Sequence, residues 1–418
     1  MAWLAVAVVV LPGAALALAL GRRLDAACAV VASVTVGMVA MIVWFALADL
    51  VGIRWSATSL LVPAVVAIVV LSIRRAAIVP ITREGGGWLA AALALAVAHA
   101  WILSRIPAFG WDFRYIWGLK ARVFAAAGGH AWGWLAWPPN TFAHPTYPPL
   151  WPDLLAIGPM LGASAGQTAA AWNAVLVVAL AAACWTASAG APPPLRFAAA
   201  IVGALAPVIF TRTVQHSGYA EPLLAVLAAA ALAWLAALGE GKGRVAPLAV
   251  VTVALTLAKN EGLALAVAVA VAALLSVRGH SKFAVPGAVA LTAGWWLASL
   301  AAHRVSDQHL NLDPIRAVGR VAAMPGAVAS SASAEVIVLG IAWVAALFAL
   351  RGPALRGVRT ALTLFAVAVI AAYATSTDGL AWQLDVTLSR VLAAPLPGVV
   401  ALAIGASWRR GPTEQEPA

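Results

Sequence analysis

Charge is what this chain has least of. Of its 418 residues only 10% are Asp, Glu, Lys or Arg, against 64% that are hydrophobic, whereas soluble domains carry roughly 25% charged residues. An ordinary water-exposed globular domain is excluded. Cysteine is nearly missing as well. Cys28 and Cys184 both sit inside apolar runs, where they read as small lipid- or core-facing residues rather than a disulfide or a metal pair. The apolar runs are continuous and rich in Ala, Leu and Val, without the period-two alternation of an outer-membrane barrel. The sequence also lacks GxSxG, a P-loop, zinc-type Cys/His spacing, internal repeats, and the paired Gly/Pro-broken helices of many transporters. What remains is an all-α fold, a polytopic transmembrane helical bundle.

A crossing helix needs about 20 apolar residues, fewer inside a bundle. On that rule spans are predicted near 1–20, 26–48, 57–73 and 87–104. Nine more follow near 167–189, 197–211, 221–238, 245–258, 263–277, 284–302, 333–350, 360–375 and 391–407. That makes about thirteen. The N-terminus lacks a basic leader, and Arg22 and Arg23 follow its apolar run, so it reads as a retained first helix. Residues 147–162 are apolar but short and broken by proline, and read as a partly immersed helix that does not cross.

The net charge of +11 would suggest nucleic acid for a soluble protein. Here it fits loop charges obeying the positive-inside bias, with no nucleic-acid partner. Inner turns receive fifteen of the 26 bases and five of the 15 acids, a net of +10, and outer turns receive the rest, a net of +1. The layout is therefore one integral membrane domain over 1–418 in the cell inner (plasma) membrane. Its large extracytoplasmic loops are 105–150 and 303–330, and 408–418 is a short cytoplasmic tail.

The ionisable residues gather at the outer turns. Asp112, between Trp111 and Phe113, directly follows a span, where an acid is costly without a role or a partner. Two readings fit it: an interfacial acid paired with Arg114 or Arg105, or a general base taking a proton from an acceptor hydroxyl. The segment FRYIWGLKARVF places Tyr115, Leu119 and Arg122 near one helical face with Lys120 beside it, an amphipathic helix lying in the interface. Its cations either meet anionic lipid head groups or bind a phosphate on a lipid-linked substrate. HPTYPPLWP is stiffened by proline and projects His144 and Tyr147. Arg212, His216, Tyr219 and Glu221 stand at one helix entrance, and Lys259, Asn260 and Glu261 at another. A third segment, 376–397, reads as an amphipathic interfacial stretch carrying Asp378, Trp382, Asp385 and Arg390 before the last span.

Four pieces in order, WDFRYIWGLKARVF with HPTYPPL, SGYAEPLLA, KNEG and WQLDVTLSRVL, resemble the GT-C superfamily of integral membrane glycosyltransferases. The branch concerned is that of protein-O-mannosyltransferases and of lipid-A and lipopolysaccharide sugar transferases. The resemblance covers the chain from about residue 87 onward. It implies a GT-C bundle whose extracytoplasmic loop carries interfacial helices. It also implies a polyprenyl-phosphate-linked sugar donor, inversion at the anomeric carbon, and Asp112 as base, in cell-envelope glycan or glycolipid synthesis. Glu221 matches the acid of the family's GYADP-like motif. Family members often show two adjacent acids where Asp112 is followed here by Phe113 and Arg114, so a divalent cation, if used, would draw a second ligand from Glu221 or elsewhere. Lys120, Arg122, Lys259 and Arg212 are then the cations for the departing phosphate. Trp111, Arg114, Tyr115, His144, Tyr147, Tyr219, Glu221, Glu261, Asp385 and Arg390 are left for substrate. The partners implied are membrane lipid, the sugar donor, and a glycan, lipid or protein acceptor. A transporter or flippase of lipid-linked sugars is the alternative. It would use the same cations and need no base.

Overall fold

The computed structural model describes residues 1–20, 25–73, 83–106, 110–209, 218–306, 313–331 and 334–408. Among these residues the regular elements are all helical. Continuous apolar sequence dictates this, because a backbone in lipid must satisfy its own N–H and C=O groups within the segment.

The core is built on two helices, Ala165–Ala187 and Glu221–Gly239, whose apolar windows are 83% and 78% buried inside the protein, compared with 22% for the peripheral His280–Ala302. Both are alanine-rich, and small side chains let helix backbones approach closely where lipid tails already solvate apolar surface. The same device joins the first two helices, Ala2–Leu20 and Ala26–Leu50. A Cβ on Gly13 would stand 2.0 Å from the carbonyl oxygen of Ser33, and one on Gly37 would stand 2.2 Å from that of Val9. Peripheral helices turn large apolar side chains such as Ile68, Val97, Leu291 and Ile341 outward, as lipid-facing surface requires.

Among the described residues, seven helices are long and apolar enough to cross a membrane. An eighth is counted if the segments Leu380–Ala393 and Leu396–Trp408, bent by 41°, form one broken span. Five shorter apolar helices lie near predicted spans: Leu61–Ile73, Pro193–Ala206, Val245–Ala258, Asn260–Ser276 and Val336–Ala349. A total of thirteen is reached only when these five cross as well.

Local differences from the sequence reading have physical causes. Residues 314–330 of the second predicted loop lie in the helix Pro314–Ser331, with Ile315 and Val318 exposed. Arg320 on that helix donates to the carbonyls of Tyr373 at 2.9 Å and Asp378 at 2.8 Å, tying it to the segment that enters Leu380–Ala393. That segment runs into the last predicted span across the 41° bend, as the first arm of a broken span or of a re-entrant pair. The short helix Leu150–Met160 is buried from Leu150 to Gly158, wedged in protein. The first predicted loop, 105–150, is largely helical too. The 408–418 tail falls, from 409 on, outside the described residues.

Candidate functional site

Four chain segments meet at one cluster of ion pairs. Asp112 stands at the head of a π-helical turn, Phe113–Trp117. Tyr219 and Glu221 lie at the start of Glu221–Gly239, with Pro222 just inside it, a position where the missing proline N–H costs nothing. Lys259 is a single extended residue between Val245–Ala258 and Asn260–Ser276, and Glu261 follows in the first turn. Arg390 sits on the short helix Ser389–Ala393, directly after a second π-helical turn, Leu384–Leu388.

Their side chains alternate in sign along a line. The Arg390 guanidinium donates through Nη2 to Asp112 Oδ2 at 2.5 Å and through Nε to Glu221 Oε1 at 2.8 Å. Nη2 also reaches that same Glu221 oxygen. Lys259 Nζ donates to Glu221 Oε1 at 2.9 Å and bridges to Glu261 Oε1 at 3.1 Å. The order is thus Asp112, Arg390, Glu221, Lys259, Glu261. Exposure falls to 2% at Glu221 in the middle and rises to 19% and 22% at the two ends. Buried charges persist only when paired and hydrogen-bonded, and each one here has a partner of opposite sign. Burial disfavours the Lys259 ammonium, but Glu221 and Glu261 outweigh it and hold its pKa above the ordinary lysine range.

Aromatic rings brace the line. The Asp112 backbone N–H donates to the Tyr219 hydroxyl at 3.1 Å, and Arg390 lies 4.8 Å over the Tyr219 ring. Burial pushes the Tyr219 phenol up to about 12. Tyr219 is delivered by a tight turn at Gly218, where φ is +88° and an added Cβ would stand 2.2 Å from the Phe113 ring. The Gly218 carbonyl accepts from Trp151 Nε1 at 2.7 Å. Gly218→Ala is therefore expected to cost about 1–3 kcal/mol through overpacking and a left-handed backbone, read as a lower melting temperature. An unchanged melt would show that the turn can relax at no cost.

The other predicted site residues are placed as follows. Trp111 is 61% exposed and lies 4.2 Å from Tyr115, whose ring meets Phe142 edge-on. Arg114, Arg122 and Asp385 are exposed. Lys120 is buried rather than beside the exposed face: its ammonium donates to the His144 carbonyl and lies 5.7 Å from the Tyr147 ring, on which His144 stacks. Lys120 and Arg122 are two residues apart on the same helix, Gly118–Ala127, about 200° around its axis, so the turn that exposes Arg122 buries Lys120. Arg212 lies outside the described residues.

A second polar cluster has no counterpart in the sequence reading. His130 is buried to 1%. Its Nε2 bonds Asp153 Oδ2 at 3.2 Å, and its Nδ1 bonds Asp49 Oδ2, inside a cage that includes Trp55, Phe124 and Trp132. With a carboxylate on each ring nitrogen, the ring donates twice and is an imidazolium. Burial opposes that charge, but Asp153 and Asp49 outweigh it and raise the pKa to about 9. Asp153 is pushed up to about 6 by its own burial, against the pull of His130. The visible signal was Asp153 itself, an acid inside the apolar run LWPDLLAIG. His130 offered none.

The cluster makes a pH prediction. Between the ordinary histidine value of 6.5 and about 9, the folded chain holds a proton that the unfolded chain releases. Stability from this group is complete below pH 6.5 and is lost as pH rises through 9, by up to about 3 kcal/mol. The melting temperature should fall across that window, and His130→Gln should flatten the fall. Equal slopes in both proteins would contradict it.

Among the described residues no three His, Cys, Asp or Glu side chains gather to hold a metal. The two oxygens that Glu221 and Glu261 turn toward each other's side already share the Lys259 ammonium. The second oxygens of both carboxylates, Glu221 Oε2 and Glu261 Oε2, are buried without a hydrogen-bond partner.

Fold and site together define a multi-pass helical membrane protein whose helix ends gather a buried line of alternating charges. No family model matches the chain, and no curated protein matches it. Among solved structures it is similar to the crystal structure of ArnT from Cupriavidus metallidurans bound to undecaprenyl phosphate. Sequence identity is 15% and the TM-score is 0.46, with 77% of this chain covered but only 60% of that one.

Proposed function

We propose that the chain is a GT-C-type inverting glycosyltransferase. It moves a sugar from a polyprenyl-phosphate donor to an acceptor hydroxyl on the extracytoplasmic side of the inner (plasma) membrane, in cell-envelope glycan or glycolipid synthesis. The observation that supports this most is the joining of Asp112, Glu221, Lys259 and Arg390, from four distant segments, at one set of helix ends. The four motifs that carry the GT-C resemblance each contribute one of these residues.

In the proposed step Asp112 takes the proton from the acceptor hydroxyl. The acceptor oxygen bonds to the anomeric carbon from one face, while the carbon–oxygen bond to phosphate breaks on the other. The bonding electrons leave with polyprenyl phosphate. Negative charge grows on the departing phosphate, and fixed cations in a poorly hydrated site stabilise it. Arg390 and Lys259 stand in that site, with Lys120 nearby beneath Tyr147 and Arg122 and Arg212 as further candidates from the sequence. Trp111, Tyr115, Tyr147, His144 and Tyr219 offer ring faces for the sugar. Glu221, Glu261, Arg114 and Asp385 offer polar contacts. The surplus of bases on the predicted inner turns supports the outward orientation.

The test is transfer of labelled sugar from a panel of polyprenyl-phosphate donors to membrane acceptors by the purified chain in liposomes. Transfer from one donor class is the expected result. Intact donor crossing the bilayer with no transfer from any member would replace the enzyme with a flippase.

A further inference from the structure

The geometry around Asp112 conflicts with its role as a base, and the conflict points to a device. A carboxylate that accepts a charge-assisted bond from guanidinium is a weakened proton acceptor, yet Arg390 Nη2 lies 2.5 Å from Asp112 Oδ2. That same nitrogen also reaches Glu221 Oε1, while Nε of the same side chain bonds Glu221 independently at 2.8 Å. Arg390 can therefore give up Asp112 and keep Glu221 through Nε. Glu221 is the fixed end: it is 2% exposed and also held by Lys259. Asp112 is the open end, and its backbone N–H has an anchor of its own on the Tyr219 hydroxyl.

The mounts of the two partners suit such a movement. Asp112 heads one π-helical turn, and Arg390 follows the other. Arg390 is further separated from the last helix by the 41° bend beyond Ala393. π-helical turns interrupt the regular hydrogen-bond ladder, so a short helix between a π turn and a bend is a compliant support. An incoming phosphate oxyanion presents several oxygens to a planar fork that suits it as well as a carboxylate does.

We propose that Arg390 is a cap on Asp112 that the donor's phosphate removes. Without donor, the guanidinium ties up the base. With donor, the phosphate takes Nη2, and Asp112 is released to accept the acceptor's proton. The inference rests on the glycosyl-transfer reading for its purpose, and it orders the reaction, donor before acceptor. Phosphate and Asp112 then compete for one guanidinium, which affinity can read without any turnover.

The experiment measures binding of a polyprenyl phosphate carrying no sugar to the full chain in nanodiscs, with the unphosphorylated polyprenol as control. Four proteins are compared: wild type, Asp112→Asn, Arg390→Gln and the double variant. Removing the competitor should tighten binding by Asp112→Asn about tenfold, a coupling common between residues in direct contact. Arg390→Gln should weaken it, and in that background Asp112→Asn should have no effect. A purely electrostatic benefit of losing one negative charge would persist without Arg390. Tightening of equal size in both backgrounds, no tightening at all, or no phosphate-dependent binding to wild type would each overturn the cap. Arg390→Lys, which keeps the charge and loses the fork, replaces Arg390→Gln should the latter not fold. Binding that follows the competition while no sugar is ever transferred would retain the cap and reject the enzyme.

Discussion

Glu221→Ala is expected to destabilise the chain by about 3 kcal/mol or more, visible as a melting temperature several degrees lower in detergent or nanodiscs. Removing one partner from a buried ion pair typically costs about 3–5 kcal/mol, because the remaining charge is left uncompensated. Glu221 is the acid between two cations, and a single oxygen, Oε1, takes Lys259 and both Arg390 contacts. Without it, Arg390 and Lys259 face each other across a small cavity. The loss is moderated because Arg390 keeps Asp112 and Lys259 keeps Glu261. Glu221→Gln retains the volume and an acceptor oxygen, so its loss should be smaller. A Glu221→Ala protein that melts with the wild type would show that the line of charges contributes little to the fold.

That line was partly legible in the sequence. Asp112, Glu221, Lys259, Glu261 and Arg390 all stand out because each flanks or interrupts an apolar run, where ionisable side chains are expensive. Their membership of one site followed from the order of the motifs. Their pairing did not, since Asp112 and Arg390 are 278 residues apart and nothing local specifies which base meets which acid. The two π-helical turns were also invisible, since FRYIW and LDVTL carry no residue that marks a π register; each turn buries its first residue, Phe113 and Leu384. Lys120, expected beside the face of Arg122, lies two residues from it on one regular helix and is instead buried against Tyr147.

The helical membrane class was plain from composition, and so was the break at Lys259, the predicted 245–258 and 263–277 falling on Val245–Ala258 and Asn260–Ser276. Lys259 breaks one apolar stretch into helices of 14 and 17 residues at the point where its charge is needed between two acids. The His130 cluster is the opposite case. Its acids lie at the end of one helix and inside another, and only the folded chain brings them to the two sides of one imidazole.

The most direct measurement compares sugar transfer by wild type and Asp112→Asn, with donor binding followed in parallel. The substitution keeps the shape of the side chain and its place beside Arg390 while removing the group that accepts the proton. General-base catalysis contributes about 10²–10⁴-fold, so turnover should fall by that factor while donor binding is not lost but tightened. Equal turnover in the two proteins would contradict the assignment of Asp112 as base and move that role to Glu221 or Glu261.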